Sequence, residues 1–452
     1  MINTGNIKKV YFLGIGGIGM SALARYFQSQ GATVAGYDKT PSPLTDKLQR
    51  EGMEIHFDDN PDKIPSCSDL AVLTPAIPGD LKELQHLHNS EIPVLKRSEV
   101  LGLITSQHPS IAVAGTHGKT SVSALIAYLL HQGGVATTAF IGGISRNFNS
   151  NCIISKQPEY VIAEADEFDR SFMKLSPNTI VITSIDADHL DIYGDKASLI
   201  RTFTEFKDKV KNPQHIFIEE KPATELSGQF EVYGLSENAK YRATNYRIKS
   251  GFQHFDFESE SKVIRDLEFS LPGEYNLKNA AASVAVALQC GVGENQIRDG
   301  LKTFKGVERR FDIRFRGKKQ VYIDDYAHHP EEISACIGAI RTLFPDKKIT
   351  GVFQPHLFSR TADFADGFAA SLDLLDDTIL MPIYPAREKP MKGVSSELIF
   401  DKMKNPNKSL TDKSQLLKLI KKKNPELLVT LGAGDIDRFV EPIKKYFEEK
   451  NS

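Results

Sequence analysis

The chain has 452 residues, too many for one hydrophobic core, so two to four domains are expected. Hydrophobic residues make up 40% and charged residues 25%, and the formal net charge of -2 lacks the basic excess that holds nucleic acid. Cys67, Cys152, Cys290 and Cys336 lie far apart with no Cys-x-x-Cys spacing, and no apolar run suits a signal peptide or a membrane span, which predicts a reduced, cytoplasmic protein.

The first elements form a compact β-α-β pattern. Val10 to Leu13 predicts a strand, Met20 to Gln30 an amphipathic helix, and Thr33 to Tyr37 a second strand ending at Asp38. Between them, Gly14-Ile15-Gly16-Gly17-Ile18-Gly19 is a G-x-G-x-x-G loop with an acid about twenty residues on, the fingerprint of a Rossmann unit. Physically this asks only that a diphosphate sit on the helix N-terminus and that Asp38 accept hydrogen bonds from a ribose or base. UDP meets that demand as well as NAD does. Leu44 to Glu51 predicts a helix and Leu70 to Thr74 a strand, whose following loop, Pro75 to Gly79, is expected to border the same pocket. Pro109 marks a boundary before the next domain.

The β-prone run Ser110 to Ala114 leads into Gly115-Thr116-His117-Gly118-Lys119-Thr120-Ser121 and then an amphipathic helix. This is strand, phosphate loop, helix. It departs from a strict Walker A because the first glycine position falls on Val113. Glycines let backbone N–H groups wrap a polyphosphate, Lys119 would reach the outer phosphates, and the Thr120 hydroxyl would ligate magnesium. Two further strands, Glu159 to Ala163 and Thr179 to Thr183, run into acidic ends. Glu164 is the first choice to hold magnesium there, and His189, in Asp186-Ala187-Asp188-His189-Leu190-Asp191, is a candidate ligand for a second ion. Residues 214–270 alternate in a way that predicts a small, mostly antiparallel sheet. Asn276 and Asn279 precede a helix predicted over Ala280 to Gln289, where they would cap it or read an adenine edge.

A third domain begins near Gly306. Val321 to Ile323 runs into Asp324-Asp325-Tyr326-Ala327-His328-His329-Pro330, a dense polar cluster at a strand end. Val352-Phe353 runs into Gln354-Pro355-His356-Leu357-Phe358-Ser359-Arg360-Thr361, Ile379 to Pro382 into Tyr384 to Glu388, and Val429 to Leu431 into Gly432 to Asp435. Strand–loop–helix units of this kind predict another parallel sheet with its polar residues on one edge. Lys418 to Lys423 reads as a solvated helix face.

Taken together, GIGGIGMSALA (Gly14 to Ala24), GTHGKTS (115–121), EADEFDRSF (164–172), DADHLDIYG (186–194), GEYNLKNAAAS (273–283), ERRF (308–311), DDYAHHP (324–330), QPHLFSRT (354–361) and GVSS (393–396) resemble, in order, the motifs of the Mur ligase family. The resemblance implies an α/β chain of three domains. Residues 1–107 would be a Rossmann-like UDP-sugar-binding domain and 108–305 a P-loop ATP-binding domain. Residues 306–452 would be a Rossmann-like domain that binds the amino acid. It implies ATP and Mg2+, and a ligase that forms an amide through an acyl phosphate, in the branch that adds L-alanine to UDP-N-acetylmuramate. Murein tripeptide is the alternative amine. Neither nucleic acid nor membrane is implied as a partner, and a monomer or weak homodimer is expected. Gly16, Gly17 and Gly19 would contact the UDP diphosphate, with Asp38 near the uridine. The loop Gly115 to Ser121 would hold the ATP phosphates together with Arg310. Glu164, His189 and Thr120 would hold magnesium, Asn279 would face adenine and Asp325 the ribose. Tyr326, His328 and Arg360 would surround L-alanine, with Arg360 pairing its carboxylate and His328 a candidate to orient or deprotonate the amine. Tyr275 stands where the family more often has His, and Leu357 where close relatives carry a second arginine. An NAD-dependent oxidoreductase, the rival from another class, leaves the phosphate loop and acidic strand ends unexplained.

Overall fold

The structure, a computed structural model, describes residues 3–186, 193–249, 251–386 and 388–451. His189 therefore lies outside the described residues. The chain divides into two compact units. The first comprises Met1–Tyr246, Phe255–Glu268 and Leu277–Lys305, and the second Arg247–His254, Phe269–Asn276 and Gly306–Ser452.

The first unit opens with β1 (Lys9–Leu13), β2 (Thr33–Tyr37), β3 (Glu54–His56), β4 (Leu70–Leu73) and β5 (Val94–Lys96), a parallel sheet in the order β3-β2-β1-β4-β5. Val10 to Leu13 are all buried, as an uninterrupted apolar run covered on both faces should be. Strand order reverses between β1 and β4, which places a crevice beyond their carboxyl ends, where the glycine loop lies.

A second sheet follows, from β6 (Ser110–Ala114), β7 (Thr137–Ser145), β8 (Ser150–Ile153), β9 (Tyr160–Ala165), β10 (Thr179–Ile182), β11 (Ile216–Glu219), β12 (Glu231–Gly234), β13 (Tyr241–Lys249), β14 (Phe252–Glu258) and β15 (Val263–Phe269). Its order is β15-β14-β13-β12-β11-β10-β6-β9-β7-β8. Residues 214–270 therefore do not begin a separate antiparallel sheet. Strand β11 pairs in parallel with β10 on one side and β12 on the other, and β13 starts parallel to β12. The reason is burial: Ile216 to Glu219 are covered on both faces, the mark of an interior parallel strand. The first two sheets share one hydrophobic cluster containing Phe27, Leu101, Phe140 and Phe172.

In the second unit, β16 (Asp312–Arg316), β17 (Val321–Asp325), β18 (Ile349–Phe353), β19 (Asp377–Leu380), β20 (Lys408–Leu410) and β21 (Leu427–Leu431) form a sheet ordered β16-β17-β21-β18-β19-β20. Only β16 is antiparallel to its neighbour. The polar segments after β17, β18 and β21 consequently share one edge. Among the described residues no helix is long and apolar enough to cross a membrane.

Candidate active site

Beyond β1, the amides of Gly14 and Ile15 both donate to the Tyr37 carbonyl, which turns the chain sharply into the helix Ile18–Ser29. Gly16 N–H donates to Asp38 Oδ2 at 2.8 Å, and a Cβ at Gly16 would lie 2.8 Å from that oxygen. Asp38 thus organises the loop it was expected to serve from across the ligand. No side chain caps the helix at Gly17, so its first N–H groups keep their donor character. Arg97, which begins the helix after β5, packs over Gly19, with Cδ and Nη1 each 3.0 Å from where a Cβ would be, and reaches Asp166 at 3.7 Å. Gly17, Gly19, Arg97, Glu164 and Asp166 line one cavity of about 310 Å³. The glycine loop and the acidic end of β9, distant in sequence, face the same space.

The phosphate-type loop follows β6. Gly115 has φ +136° and Gly118 φ +82°, and a Cβ at Gly115 would fall 2.2 Å from Thr183 Oγ1, so glycine is required there. Ser184 Oγ accepts from the His117 amide at 2.7 Å, while Thr116 Oγ1 lies 2.9 Å from Ser184 Oγ and accepts from the Asp186 amide at 3.0 Å. These bonds tie the loop to the end of β10. Ser121 lies in the first turn of the helix Lys119–Gln132, and Asn279 Oδ1 is 3.3 Å from a Cβ built on Gly118.

Lys119 Nζ donates to Gly115 O at 2.5 Å and to Glu167 Oε1 and Oε2 at 3.0 and 2.8 Å. Burial opposes the ammonium's charge, but Glu167 and, farther off, Asp166 and Glu164 outweigh it and hold Lys119 above its ordinary value. Thr120 Oγ1 donates to Glu164 Oε1 at 2.9 Å, and Glu164 Oε2 accepts from Gly142 N–H at 2.7 Å. A hydroxyl and a carboxylate at this spacing are hard oxygen donors of the kind Mg2+ takes.

In the second unit, Asp325 is wired to the backbone: Oδ2 accepts from Phe311 N–H at 2.6 Å and Oδ1 from Ala327 N–H at 2.7 Å. Burial pushes its carboxyl up to about 6, against Arg310 and those two amides. Arg309 and Phe311, on either side of Arg310, have φ of +61° and +46°, and both guanidiniums stack on the Tyr326 ring at 5.1 Å. His328 Nδ1 lies 3.0 Å from Tyr326 O. A carbonyl only accepts, so Nδ1 carries the proton and Nε2 presents a lone pair. Burial lowers His328 to about 4, with Glu332 opposing and Arg360 assisting, which leaves a neutral imidazole at pH 7. His356 stacks on Tyr384 and lies 6.1 Å from the His328 ring, and burial, His328 and Arg360 take it to about 4 as well. Leu357 adopts φ +70°, an uncommon conformation for a side chain-bearing residue, just before the short helix that carries Arg360.

The structure thus brings Lys119, Thr120 and Glu164 together in the first unit and Tyr326, His328 and Arg360 together in the second. One expectation is corrected. The helix predicted from Ala280 begins at Glu274, so Asn276 and Asn279 lie inside it rather than ahead of it, and Asn276 Nδ2 donates to Pro272 O at 2.8 Å. Arg97, Gly142, Glu167 and His356 escaped the sequence reading. Two of them carried a local signal, Glu167 in the acidic end of β9 and His356 as a histidine beside the strand end that bears Arg360.

Comparison with known proteins follows the same architecture. The Mur ligase family, catalytic domain, matches residues 9–109, the Mur ligase middle domain 113–287, and the Mur ligase, glutamate ligase domain 309–434. A UDP-N-acetylmuramate–L-alanine ligase of Flavobacterium johnsoniae is 47% identical over 452 residues, covering 99% of this chain and 100% of that protein. One of Porphyromonas gingivalis is 44% identical over 453 residues, 98% of this chain and 99% of that protein. Among solved structures, a UDP-N-acetylmuramate-alanine ligase of Thermotoga maritima superposes with a TM-score of 0.84 at 27% identity, over 98% of this chain and 99% of that one. A murein peptide ligase of Psychrobacter arcticus shares the fold, with a TM-score of 0.69 at 20% identity over 94% and 96% of the two chains. With three domain matches in order and full-length relatives above 40% identity, the chain belongs to the Mur ligase family, enzymes that use ATP to join a carboxylate to an amine.

Proposed function

We propose that the protein joins L-alanine to UDP-N-acetylmuramate, converting ATP to ADP and phosphate, as a monomer or weak homodimer in the cytoplasm. The observation that carries this reading is the convergence of the Lys119 ammonium, the Thr120 hydroxyl and the Glu164 carboxylate at the ends of β6 and β9, with Glu164 facing the glycine loop across the cavity Arg97 lines. A free carboxylate does not acylate an amine in water, because its leaving group is oxide. Phosphorylation of the lactoyl carboxylate by ATP gives an acyl phosphate, and the alanine nitrogen then displaces phosphate.

Gly16, Gly17 and Gly19 bind the UDP diphosphate against the helix N-terminus, which orients the lactoyl carboxylate. The Gly115 to Ser121 loop binds the ATP phosphates, Lys119 and Arg310 offset charge as it develops, Asn279 meets the adenine and Asp325 the ribose. Thr120 and Glu164 would hold Mg2+, with His189 for a second ion, and the bound cation would supply neutralisation of phosphate charge. Arg360 pairs the alanine carboxylate and Tyr326 bounds the pocket. His328, neutral and with Nε2 available, accepts a hydrogen bond from the attacking amine and can take its proton.

Phosphate release from ATP and Mg2+ with UDP-N-acetylmuramate, compared across L-alanine, glycine, L-serine and murein tripeptide, tests the reading. Turnover fastest with L-alanine is expected. Turnover with the tripeptide alone would move the protein to the recycling branch.

A further inference from the structure

The acidic strand end that supplies Glu164 carries a second buried acid, Glu167, three residues on. Its side chain is 1% exposed and lies against Lys119, itself 14% exposed. An ammonium has three N–H donors. Lys119 directs one to Gly115 O and two to the Glu167 carboxylate, so all three act within the protein. A phosphate oxygen must therefore draw at least one away. The Gly115 carbonyl belongs to the loop that wraps the phosphates, and losing it would disturb the loop. Glu167 can give up one contact and keep the other. The carboxylate cannot follow the lysine by a backbone shift, because Glu167 O accepts from the buried Tyr193 hydroxyl at 2.7 Å and from Arg170 N–H at 3.0 Å.

We propose that Glu167 is a positioning residue that competes with the phosphates of ATP for Lys119, holding the ammonium at the loop and setting how tightly nucleotide is kept. The proposal rests on the reading of Lys119 as a phosphate ligand. A buried lysine facing one unopposed polyanion would bind it and its product tightly and release both slowly. An anion fixed on the other side of the same ammonium lowers that affinity, and it shifts the lysine's attraction toward the state with most phosphate charge. Glu167 thereby favours turnover over retention.

Calorimetric binding of a non-hydrolysable ATP analogue with Mg2+ to the full-length wild type, Glu167→Gln, Glu167→Asp and Lys119→Ala proteins tests this, with thermal melting as a check on folding. Glu167→Gln removes the competing charge and is expected to tighten analogue binding about tenfold, with a lower KM for ATP and a kcat that does not rise. Glu167→Asp keeps the charge but shortens its reach, and should fall between wild type and Glu167→Gln; it also serves if the glutamine protein does not fold. Lys119→Ala should weaken binding. Unchanged or weaker binding in folded Glu167→Gln, while Lys119→Ala still weakens it, would overturn the competitor role and leave the reading of Lys119 standing. Binding unaffected by Lys119→Ala would overturn both.

Discussion

Gly142 shows how much a side chain's absence can decide. Its N–H holds Glu164 Oε2, and a Cβ there would fall 2.3 Å from that oxygen. Gly142→Ala must swing the carboxylate off both Gly142 and Thr120. Turnover should drop about a hundredfold or more, with a raised magnesium requirement and a stability change within about 1 kcal/mol. A titration of rate against Mg2+ alongside a denaturant melt checks this, and an unaltered magnesium dependence would count against Glu164 as the ligand. His328 offers a second residue-scale test through pH. Its folded value of about 4 lies below the ordinary 6.5, so the unfolded chain takes the proton first as pH falls. Its contribution to stability is complete above about pH 6.5 and is lost toward pH 4. Asp325, raised to about 6, acts with the opposite sign in the overlapping window. Comparing wild type with His328→Gln cancels the Asp325 share, since both proteins keep it. The difference in urea-unfolding free energy between them should shrink by up to about 2 kcal/mol from pH 7 to pH 5. A constant difference would mean that His328 titrates at its ordinary value.

Elements join these residues in ways that sequence pattern reveals unevenly. The phosphate-type loop was legible because a loop that lets backbone N–H groups wrap phosphate needs glycine at fixed positions followed by Lys and a hydroxyl, all within seven residues. The strand ends at Glu164, Asp325 and Arg360 were legible because apolar runs break into polar clusters there. The roles of Glu167, Arg97 and Gly142 were not, since they come from partners 48, 69 and 22 residues away, which no local pattern encodes. Strands β11 and β12 were misread for a related reason: short apolar runs fit a hairpin or a buried parallel strand equally well until the neighbour is known. The same long reach holds the first two sheets together. Arg25, on the helix after the glycine loop, pairs with Glu51 at 2.7 Å and donates to Asn151 at the edge of the second sheet, while Asn151 Nδ2 donates to Ser21 Oγ at 2.9 Å. Arg25 is 8% exposed, so truncation strands the buried Asn151, while Glu51 reaches solvent. Arg25→Ala is expected to cost about 2–4 kcal/mol in chemical denaturation. A loss below about 0.5 kcal/mol would mean that the apolar contacts beside it, such as Tyr26 against Phe140 at 5.7 Å, suffice alone.

At the scale of the whole molecule most of the proposed chemistry divides between the units, with Arg310 and Asp325 of the second unit assigned to ATP as the exception. The first carries the glycine loop, Lys119, Thr120 and Glu164, the residues assigned to activating the lactoyl carboxylate. The second carries Tyr326, His328 and Arg360, assigned to the amine that attacks it. A two-step reaction makes this division testable, because the acyl phosphate forms before alanine is consumed. Exchange of labelled ADP into ATP, in the presence of UDP-N-acetylmuramate and the absence of L-alanine, reports the first step alone. Lys119→Ala should abolish that exchange. Arg360→Ala should leave it within a few fold of wild type while raising the KM for L-alanine about 10- to 100-fold, the loss of a charge-assisted pair to the substrate carboxylate. His328→Gln should also preserve exchange, but lower kcat of the complete reaction with little effect on the KM for L-alanine, since its part is played on the amine during attack. Loss of exchange in Arg360→Ala would place that arginine on the nucleotide or the lactoyl carboxylate, and the division of labour would have to be redrawn.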